Sequence, residues 1–405
     1  MKEDNGVICA APWVHLYIHP DGQVNPCCTA QSINYGNTNE MSVQDAWRSD
    51  TASNFRQDLL DGKLQDACKF CYNQEKFGNG NSLRTRLNND YGELITDNTK
   101  PDFALRYLDI RSSNMCNMAC VMCGHALSSS WYEDGSALKY QVKEGASKFI
   151  TLSNNTEQDI LTIIDNKLEV IYFAGGEPLM TPYHYTLLNE VVRRGLAPNI
   201  KLEYNTNLST LKYKKIDILD LWKQFKWVSI RASIDAVDDI GEYQRYGSNW
   251  EKIVKNWHTI KSEMPEVHVL PQITITNLSI RNIPKFLDYL VNQMHVDPFH
   301  WREPKGSQQF TYNMAVEPQR FSSVNLPKPI KDMYTVELSE YRDNLDIADE
   351  RRNVVDACLE HMNSADPDLW HFRNGLKFLS KLDIRRNNSW KKLWPEFMEY
   401  DIDKN

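Results

Sequence analysis

The sequence predicts an α/β protein built around a parallel sheet with helices packed outside it, and three observations carry that expectation. Strand and helix patterns alternate six times over residues 103–303, a rhythm that calls for parallel strands joined by crossover helices. Several of those strands are aliphatic on one face and polar on the other, so one side meets helices and the other meets something hydrophilic. Eight of the nine cysteines fall in the first third of the chain, in tight groups, which points to a soft metal or an iron–sulfur cluster beside that sheet.

The strand candidates are 104–111, 168–174, 200–207, 227–235, 267–277 and 299–302, and the helical patterns between them include 183–194, 216–225, 250–264 and 283–294. Such a run forms a doubly wound sheet or a full or partial barrel. Strand parity separates a packed barrel from a hollow one. In 227–235, Val228, Ile230, Ala232 and Ile234 share one face, opposite Ser229, Arg231, Ser233 and Asp235. Lys201, Glu203, Asn205 and Asn207 likewise oppose Leu202 and Tyr204, and Asp109 and Arg111 oppose Leu108 and Ile110. A closed eightfold barrel fills its interior with branched aliphatic side chains. Polar groups left unpaired inside cost about 1–3 kcal/mol each unless water or a ligand satisfies them. The pattern therefore predicts a hollow interior lined for a polar ligand, the alternative being a polar face against solvent or the C-terminal extension. Arg111, Asn205, Arg231, Asp235, Gln272, His300 and Arg302 are the candidate lining residues.

Residues 1–80 carry the first cysteines and many turns. A strand over 14–19, a tight turn at Pro20-Asp21-Gly22 and a return strand at 23–24 form a hairpin. His15 and His19 in that hairpin are expected at the surface. A helix starts at Ser42, where Asp45 completes a capping box, and another runs over 53–60 to stop near Gly62. Residues 81–102, rich in Asn, Asp and Gly, read as a linker. Residues 304–405 begin as a loop with Pro304, Pro318, Pro327 and Pro329, then turn helical, and the Trp and Tyr residues of 370–400 are expected in a core.

Composition bounds the function. At 41% hydrophobic and 25% charged residues over 405 positions, the chain is a folded protein with an ample core. A net charge of −8 argues against broad nucleic-acid binding, which needs basic surface to neutralise phosphates. No run approaches the ~20 apolar residues of a membrane span, and the polar, acidic start lacks a signal peptide's pattern. With an odd cysteine count, these features predict a reducing, cytoplasmic setting. Cys358 stands alone and reads as an ordinary cysteine.

Cys116, Cys120 and Cys123, with three and then two residues between them, follow the first strand of the alternating section, at the sheet edge where α/β proteins place chemistry. Three thiolates can hold three irons of a cubane and leave the fourth open, or hold zinc with His125 as the fourth ligand. Cys9, Cys27 and Cys28 flank the hairpin, and Cys68 and Cys71 follow at a distance. That set suits a structural zinc or a second cluster.

With its three-then-two cysteine spacing after a strand, the sequence resembles the radical S-adenosylmethionine (radical SAM) superfamily. Ala174-Gly175-Gly176-Glu177-Pro178 looks like that family's Gly-Gly-Glu-Pro segment, whose glycines let backbone approach the methionyl amine. Tyr204-Asn205-Thr206-Asn207 is similar to its third-strand ending, and Ser233-Ile234-Asp235 with Arg245 stand where the family holds ribose and carboxylate. Met122 replaces the aromatic that often contacts adenine. The resemblance spans residues 103–303. It implies a partial (β/α)6, TIM-like barrel, a [4Fe–4S] cluster on Cys116, Cys120 and Cys123, and S-adenosylmethionine (SAM) held by Met122, Gly175, Gly176, Glu177, Asn207, Ser233 and Arg245. The implied chemistry is reductive cleavage of SAM to a 5′-deoxyadenosyl radical, which removes a hydrogen atom from a substrate C–H bond.

The second cysteine group resembles the SPASM/twitch auxiliary domain of the same superfamily. Pro12-Trp13, Pro20-Asp21-Gly22, Tyr35-Gly36-Asn37 and Trp47 match it. With ligands for one cluster, Cys9, Cys27, Cys68 and Cys71, the twitch form fits better, Cys28 being spare. Such domains normally follow the core, whereas this one precedes it. The resemblance implies an α+β twitch-like domain at 1–80, a linker at 81–102, the core at 103–303 and a mainly helical extension at 304–405. A cluster with four protein ligands suits electron uptake, hence an oxidoreductase acting on an alcohol or aminocyclitol or modifying a peptide, served by a flavodoxin or ferredoxin. The alternatives are redox-neutral or methyl-transfer chemistry with a structural auxiliary cluster, and a non-catalytic zinc protein.

Overall fold

A computed structural model describes residues 6–77, 82–299 and 309–401. Its contacts divide into two compact units, one of residues 1–115, 149–204 and 220–228, the other of residues 116–148, 205–219 and 229–405. Both are α/β.

In the first unit, β1 (His15–Ile18) turns back into β2 (Gln23–Asn25), which pairs with β3 (Gly36–Asn37), all antiparallel. The other edge of β1 pairs in parallel with β4 (Tyr107–Ile110), followed in parallel by β5 (Val170–Phe173) and β6 (Lys201–Thr206). Register aligns Leu16, Leu108, Ile171 and Leu202 in one row and Tyr17, Asp109, Tyr172 and Glu203 in the next. The first row is fully buried, each such side chain contributing about 1.5–3 kcal/mol. On that aliphatic face Tyr204 stacks on Phe173 at 5.2 Å, and its hydroxyl hydrogen-bonds His184 of the helix Pro182–Arg193 at 2.8 Å. The polar row takes the opposite face, as the parity argument requires.

The second unit holds a small hairpin of β7 (Lys212–Tyr213) and β8 (Ile216–Asp217), and the parallel strands β9 (Trp227–Ser233, of which the first two residues count with the first unit), β10 (His268–Ile275) and β11 (Thr311–Met314). Val228, Ile230 and Ala232 of β9 are buried, as are Trp257 and Phe286 of the helices Trp250–Glu263 and Ile283–Asn292. The C-terminal section supplies the helices Lys328–Asp343, Arg351–Met362 and Leu369–Arg386, with Cys358, Trp390 and Trp394 buried. No described helix is long and apolar enough to cross a membrane.

Six expectations are corrected. The cysteine-bearing section is not separated from the core strands, because β1 fills the free edge of β4. The linker at 81–102 contains a helix, Leu83–Tyr91. Its start is a capping box in which Ser82 Oγ accepts from Thr85 N–H at 3.1 Å and Thr85 Oγ1 accepts from Ser82 N–H at 2.8 Å, while Leu87 and Tyr91 bury the inner face. The sixth strand is β11; of the 299–302 expectation, residues 300–302 lie outside the described residues, as do Pro304, His300 and Arg302. Residues 216–217 belong to β8, so the helix expected at 216–225 is only Ile218–Trp222. His15 is 1% exposed, stacked on Tyr107 at 4.6 Å with its Nδ1 at 2.8 Å from the Pro26 carbonyl, and burial lowers its pKa to about 3. Trp370, at 66% exposure, is likewise no core residue.

Candidate functional site

The loop bearing Cys116, Cys120 and Cys123 lies in the second unit and is pinned through its backbone. Ala119 N–H donates to Tyr246 O and Val121 N–H to Gln244 O, both at 2.8 Å, so the loop runs against 244–246 like a strand. Ser130 Oγ donates to Cys116 O at 2.7 Å, Ser128 Oγ to Met118 O at 2.6 Å, and the buried Trp131 indole N–H to Cys120 O at 2.8 Å. Asn207, just past β6, holds its Nδ2 at 3.8 Å from Cys116 Sγ and donates to Asn117 Oδ1 at 2.9 Å. Arg245 lies with Nη1 at 4.0 Å from Cys120 Sγ and Nε at 2.8 Å from Asp235 Oδ2. Asp235 is fixed in turn by Thr274 N–H at 2.7 Å.

Burial raises the Cys120 thiol pKa against the lowering charge of Arg245, and burial with the neighbouring Cys120 raises that of Cys123 to about 12. Bare thiolates are thus disfavoured unless a cationic centre arrives with them, as cluster irons do. The donor set fits a cubane held by three sulfurs. Met122 is half-buried between Cys120 and Cys123. Ser233 lies in register with Gln272 of β10, Asn205 Oδ1 is buried without a hydrogen-bond partner, and His125 Nε2 hydrogen-bonds the Lys148 carbonyl at 3.1 Å. Sequence reasoning missed Asn117, Trp131 and the pinning backbone of 244–246, which no local spacing signals, and named Asp235 as a lining residue and in the Ser233-Ile234-Asp235 segment without its pairing to Arg245.

Gly175, Gly176 and Glu177 belong to the first unit, after β5. Gly176 has φ +31°, and a Cβ there would stand 2.3 Å from the Met115 carbonyl oxygen and 2.8 Å from that of Ser113. Glu177 N–H donates to the same Met115 oxygen at 2.6 Å, and its buried carboxylate accepts from Leu179 N–H at 3.1 Å. The glycine is therefore needed by the chain's own backbone, whatever ligand the segment holds. Gly176→Ala is expected to destabilise the protein by about 1–3 kcal/mol or more, read as a lower urea midpoint.

The other cysteine set lies within the first unit. Arg56, fully buried, donates to Pro12 O at 2.8 Å, Trp47 O at 3.1 Å and Thr99 O at 3.0 Å, fixing the chain after Cys9. Asn25 Nδ2 donates to Gln31 O and Ile33 O, closing the loop that carries Cys27 and Cys28. Cys68 ends the turn Asp66–Cys68, and Cys71, three residues on, shares a face of the next helix, Lys69–Phe77. Burial raises the Cys9 pKa, and Cys27, Cys68 and Cys71 each raise it further. Cys68 is pushed to about 12 by burial, then Cys27 and Cys71. Thr29 Oγ1 lies 3.1 Å from Cys27 Sγ and 3.9 Å from Cys71 Sγ. Cys27, Cys68 and Cys71 all act on Cys9, and Thr29 lies beside both Cys27 and Cys71, so these four sulfurs share one neighbourhood, as the ligands of one metal centre do. Cys28 differs: after burial, the charge that most raises its pKa is Asp109, with which it hydrogen-bonds. Among the described residues no three His, Cys, Asp or Glu converge to hold a single ion; in a cubane each sulfur binds its own iron.

On the polar face of the first unit's sheet, Arg111 lies between the rings of Tyr17 at 5.3 Å and Tyr172 at 4.9 Å and is paired with Asp109 at 2.9 Å. Burial lifts Asp109 to about 6 against the pull of Arg111. One row along, Glu203 accepts from Tyr107 OH at 2.9 Å and pairs with Arg86 at 3.3 Å.

Residues 110–290 match the model of the radical SAM superfamily, and residues 9–72 match the SPASM model, an iron–sulfur cluster-binding domain. The twitch assignment of residues 1–80 is thereby corrected: the matching model is SPASM, ahead of the core. No curated protein matches the chain. Among solved structures, native anSMEcpe with bound AdoMet is similar at 16% identity over 59% of this chain and 61% of that chain's length, with a TM-score of 0.35. Streptococcus suis SuiB bound to S-adenosylmethionine is similar at 13% identity over 82% of this chain and 68% of that one, with a TM-score of 0.35. Residues 110–290 thus match the radical SAM domain and residues 9–72 the iron–sulfur cluster-binding SPASM domain, and these matches imply an enzyme whose cofactors are S-adenosylmethionine, a [4Fe–4S] cluster and auxiliary iron–sulfur ligation.

Proposed function

We propose that the enzyme is an oxidoreductase that takes a hydrogen atom from a C–H bond of a polar substrate, with the auxiliary cluster accepting the second electron and the second hydrogen leaving as a proton. The observation that carries this reading is the shared neighbourhood of Cys9, Cys27, Cys68 and Cys71, in which Thr29 Oγ1 lies 3.1 Å from Cys27 Sγ and 3.9 Å from Cys71 Sγ and the other three sulfurs act on Cys9. Four sulfurs occupy all four irons of a cubane, so the auxiliary centre has no open iron for substrate and suits electron uptake. When bound, SAM and the reduced cluster supply the 5′-deoxyadenosyl radical.

The chain's own residues hold and orient. Cys116, Cys120 and Cys123 are the ligands of the SAM-binding cluster. Asn207 and Arg245 direct N–H groups toward two of those sulfurs, which orients the thiolates and tunes their basicity. Asp235 pairs with Arg245 at 2.8 Å and so holds it in place, and Arg245 with Ser233 would take the cofactor's carboxylate and ribose. Gly175, Gly176 and Glu177 would take its amine, and Met122 would pack on its adenine. The substrate is a small polar molecule or a peptide, oxidised at an alcohol or cross-linked, and the reductant is an external flavodoxin- or ferredoxin-type protein in a cytoplasmic setting.

The test is product mass. Anaerobically reconstituted enzyme should hold about eight irons, four per cubane, and convert substrate to a product lighter by two hydrogens. An unchanged mass or a methyl gain would replace this reading. Asp235→Asn is expected to lower 5′-deoxyadenosine formation about 10–100-fold with iron content unchanged, measured by chromatography of the nucleoside beside an iron assay.

A further inference from the structure

The second unit carries a cavity of about 550 Å³ between the helix Leu369–Arg386, the segment at 317–320 and the end of the helix Tyr132–Leu138. Its lining includes the cations Lys139, Arg320, Lys377 and Lys381 and a single acid, Glu317. That is a local reversal in a chain of net charge −8. Lys377 and Lys381 are exposed and one turn apart on one helix face. Trp370, 66% exposed, also lines the cavity.

The inner wall leads to the cysteine loop. The Arg320 guanidinium sits 4.0 Å from the Phe378 ring centroid and 4.6 Å from that of Tyr140. Its Nε is buried and has no hydrogen-bond partner. Tyr140 and Phe378 pack on Trp131 at 5.7 and 6.1 Å, and Trp131 donates its indole N–H to Cys120 O at 2.8 Å. A surface group seated in the cavity is thus linked to Cys120 through packed rings and one hydrogen bond. Electron transfer weakens steeply with distance and with gaps in packing, so a continuous route of this kind favours entry here.

We infer that this basic, aromatic-walled cavity is the docking site of the enzyme's reductant, an acidic protein bearing a one-electron donor such as a flavin. The inference rests on Cys116, Cys120 and Cys123 holding the SAM-binding cluster. Electron balance is simple: one electron leaves the reduced donor and enters that cluster. The cationic rim attracts an acidic face and steers its encounter, and an exposed Trp beside it is the kind of side chain that anchors an interface.

The experiment uses the full-length reconstituted enzyme and two reductants, dithionite and a reduced flavodoxin, with 5′-deoxyadenosine as the readout. Lys377→Glu/Lys381→Glu is expected to slow the flavodoxin-driven rate about tenfold or more at low salt and to flatten its salt dependence. The dithionite-driven rate should stay within about twofold of the unmodified enzyme. Lys139→Glu, on a different element, should act in the same direction and covers the case in which the double variant misfolds. A flavodoxin-driven rate equal to wild type in both variants would overturn the proposal. So would an equal loss with dithionite, or a raised KM for substrate under dithionite, which would assign the cavity to an acidic substrate. If wild type made no 5′-deoxyadenosine even with dithionite, the cluster reading would fall and take this inference with it.

Discussion

Cys120→Ala is expected to abolish 5′-deoxyadenosine formation while leaving about half the iron in place. A cubane held by three sulfurs has no spare protein donor, and Cys120 is the sulfur that Arg245 approaches at 4.0 Å and whose carbonyl Trp131 pins at 2.8 Å. Alanine removes the donor and leaves that scaffold intact. A loss of about a thousandfold or more, about 4 kcal/mol of transition-state free energy, should therefore come without global unfolding. Iron analysis and circular dichroism on the same sample separate the two effects. Iron near four per chain, the four of one remaining cubane, with native dichroism and no nucleoside product is the expected combination. Retained cleavage would remove Cys120 from the chemistry.

Cys27→Ser and Cys28→Ser are adjacent changes with opposite expected outcomes. Cys27 raises the pKa of Cys9 and of Cys68 and shares Thr29 with Cys71, whereas Cys28 hydrogen-bonds Asp109. Cys27→Ser should cost the auxiliary cluster, dropping iron by about four per chain, the content of one cubane. It should also lower the thermal midpoint, because buried thiols then lose the centre that organises them. Cys28→Ser should keep all the iron and the same midpoint to within a few degrees. Equal iron loss in both variants would mean that both side chains are needed to hold the cluster, and iron lost only in Cys28→Ser would exchange their roles.

The contrast between those neighbours could not be read from sequence, where Cys27 and Cys28 are chemically identical; it depends on β4 bringing Asp109 alongside. The same holds for β1, whose hairpin was legible from Pro20-Asp21-Gly22 but whose parallel pairing with β4 is a long-range choice of edge that no local pattern encodes. Strand parity was legible because a period of two is local: the row of Leu16, Leu108, Ile171 and Leu202 and the row of Tyr17, Asp109, Tyr172 and Glu203 take opposite faces. The cysteine triplet was legible for the same reason. The helix Leu83–Tyr91 was hidden by an Asn-rich composition, although Ser82, Thr85, Leu87 and Tyr91 carried its cap and inner face. Trp131 and Asn117 act on the cysteine loop through contacts that chain spacing does not announce.

Electron paramagnetic resonance of the dithionite-reduced, reconstituted enzyme, recorded before and after SAM is added, tests the central claim most directly. Two clusters of unequal ligation should give two signals, of which one, from the cluster with the open iron, shifts when SAM binds, while the other does not move. A single signal, or two that ignore SAM, would contradict the account.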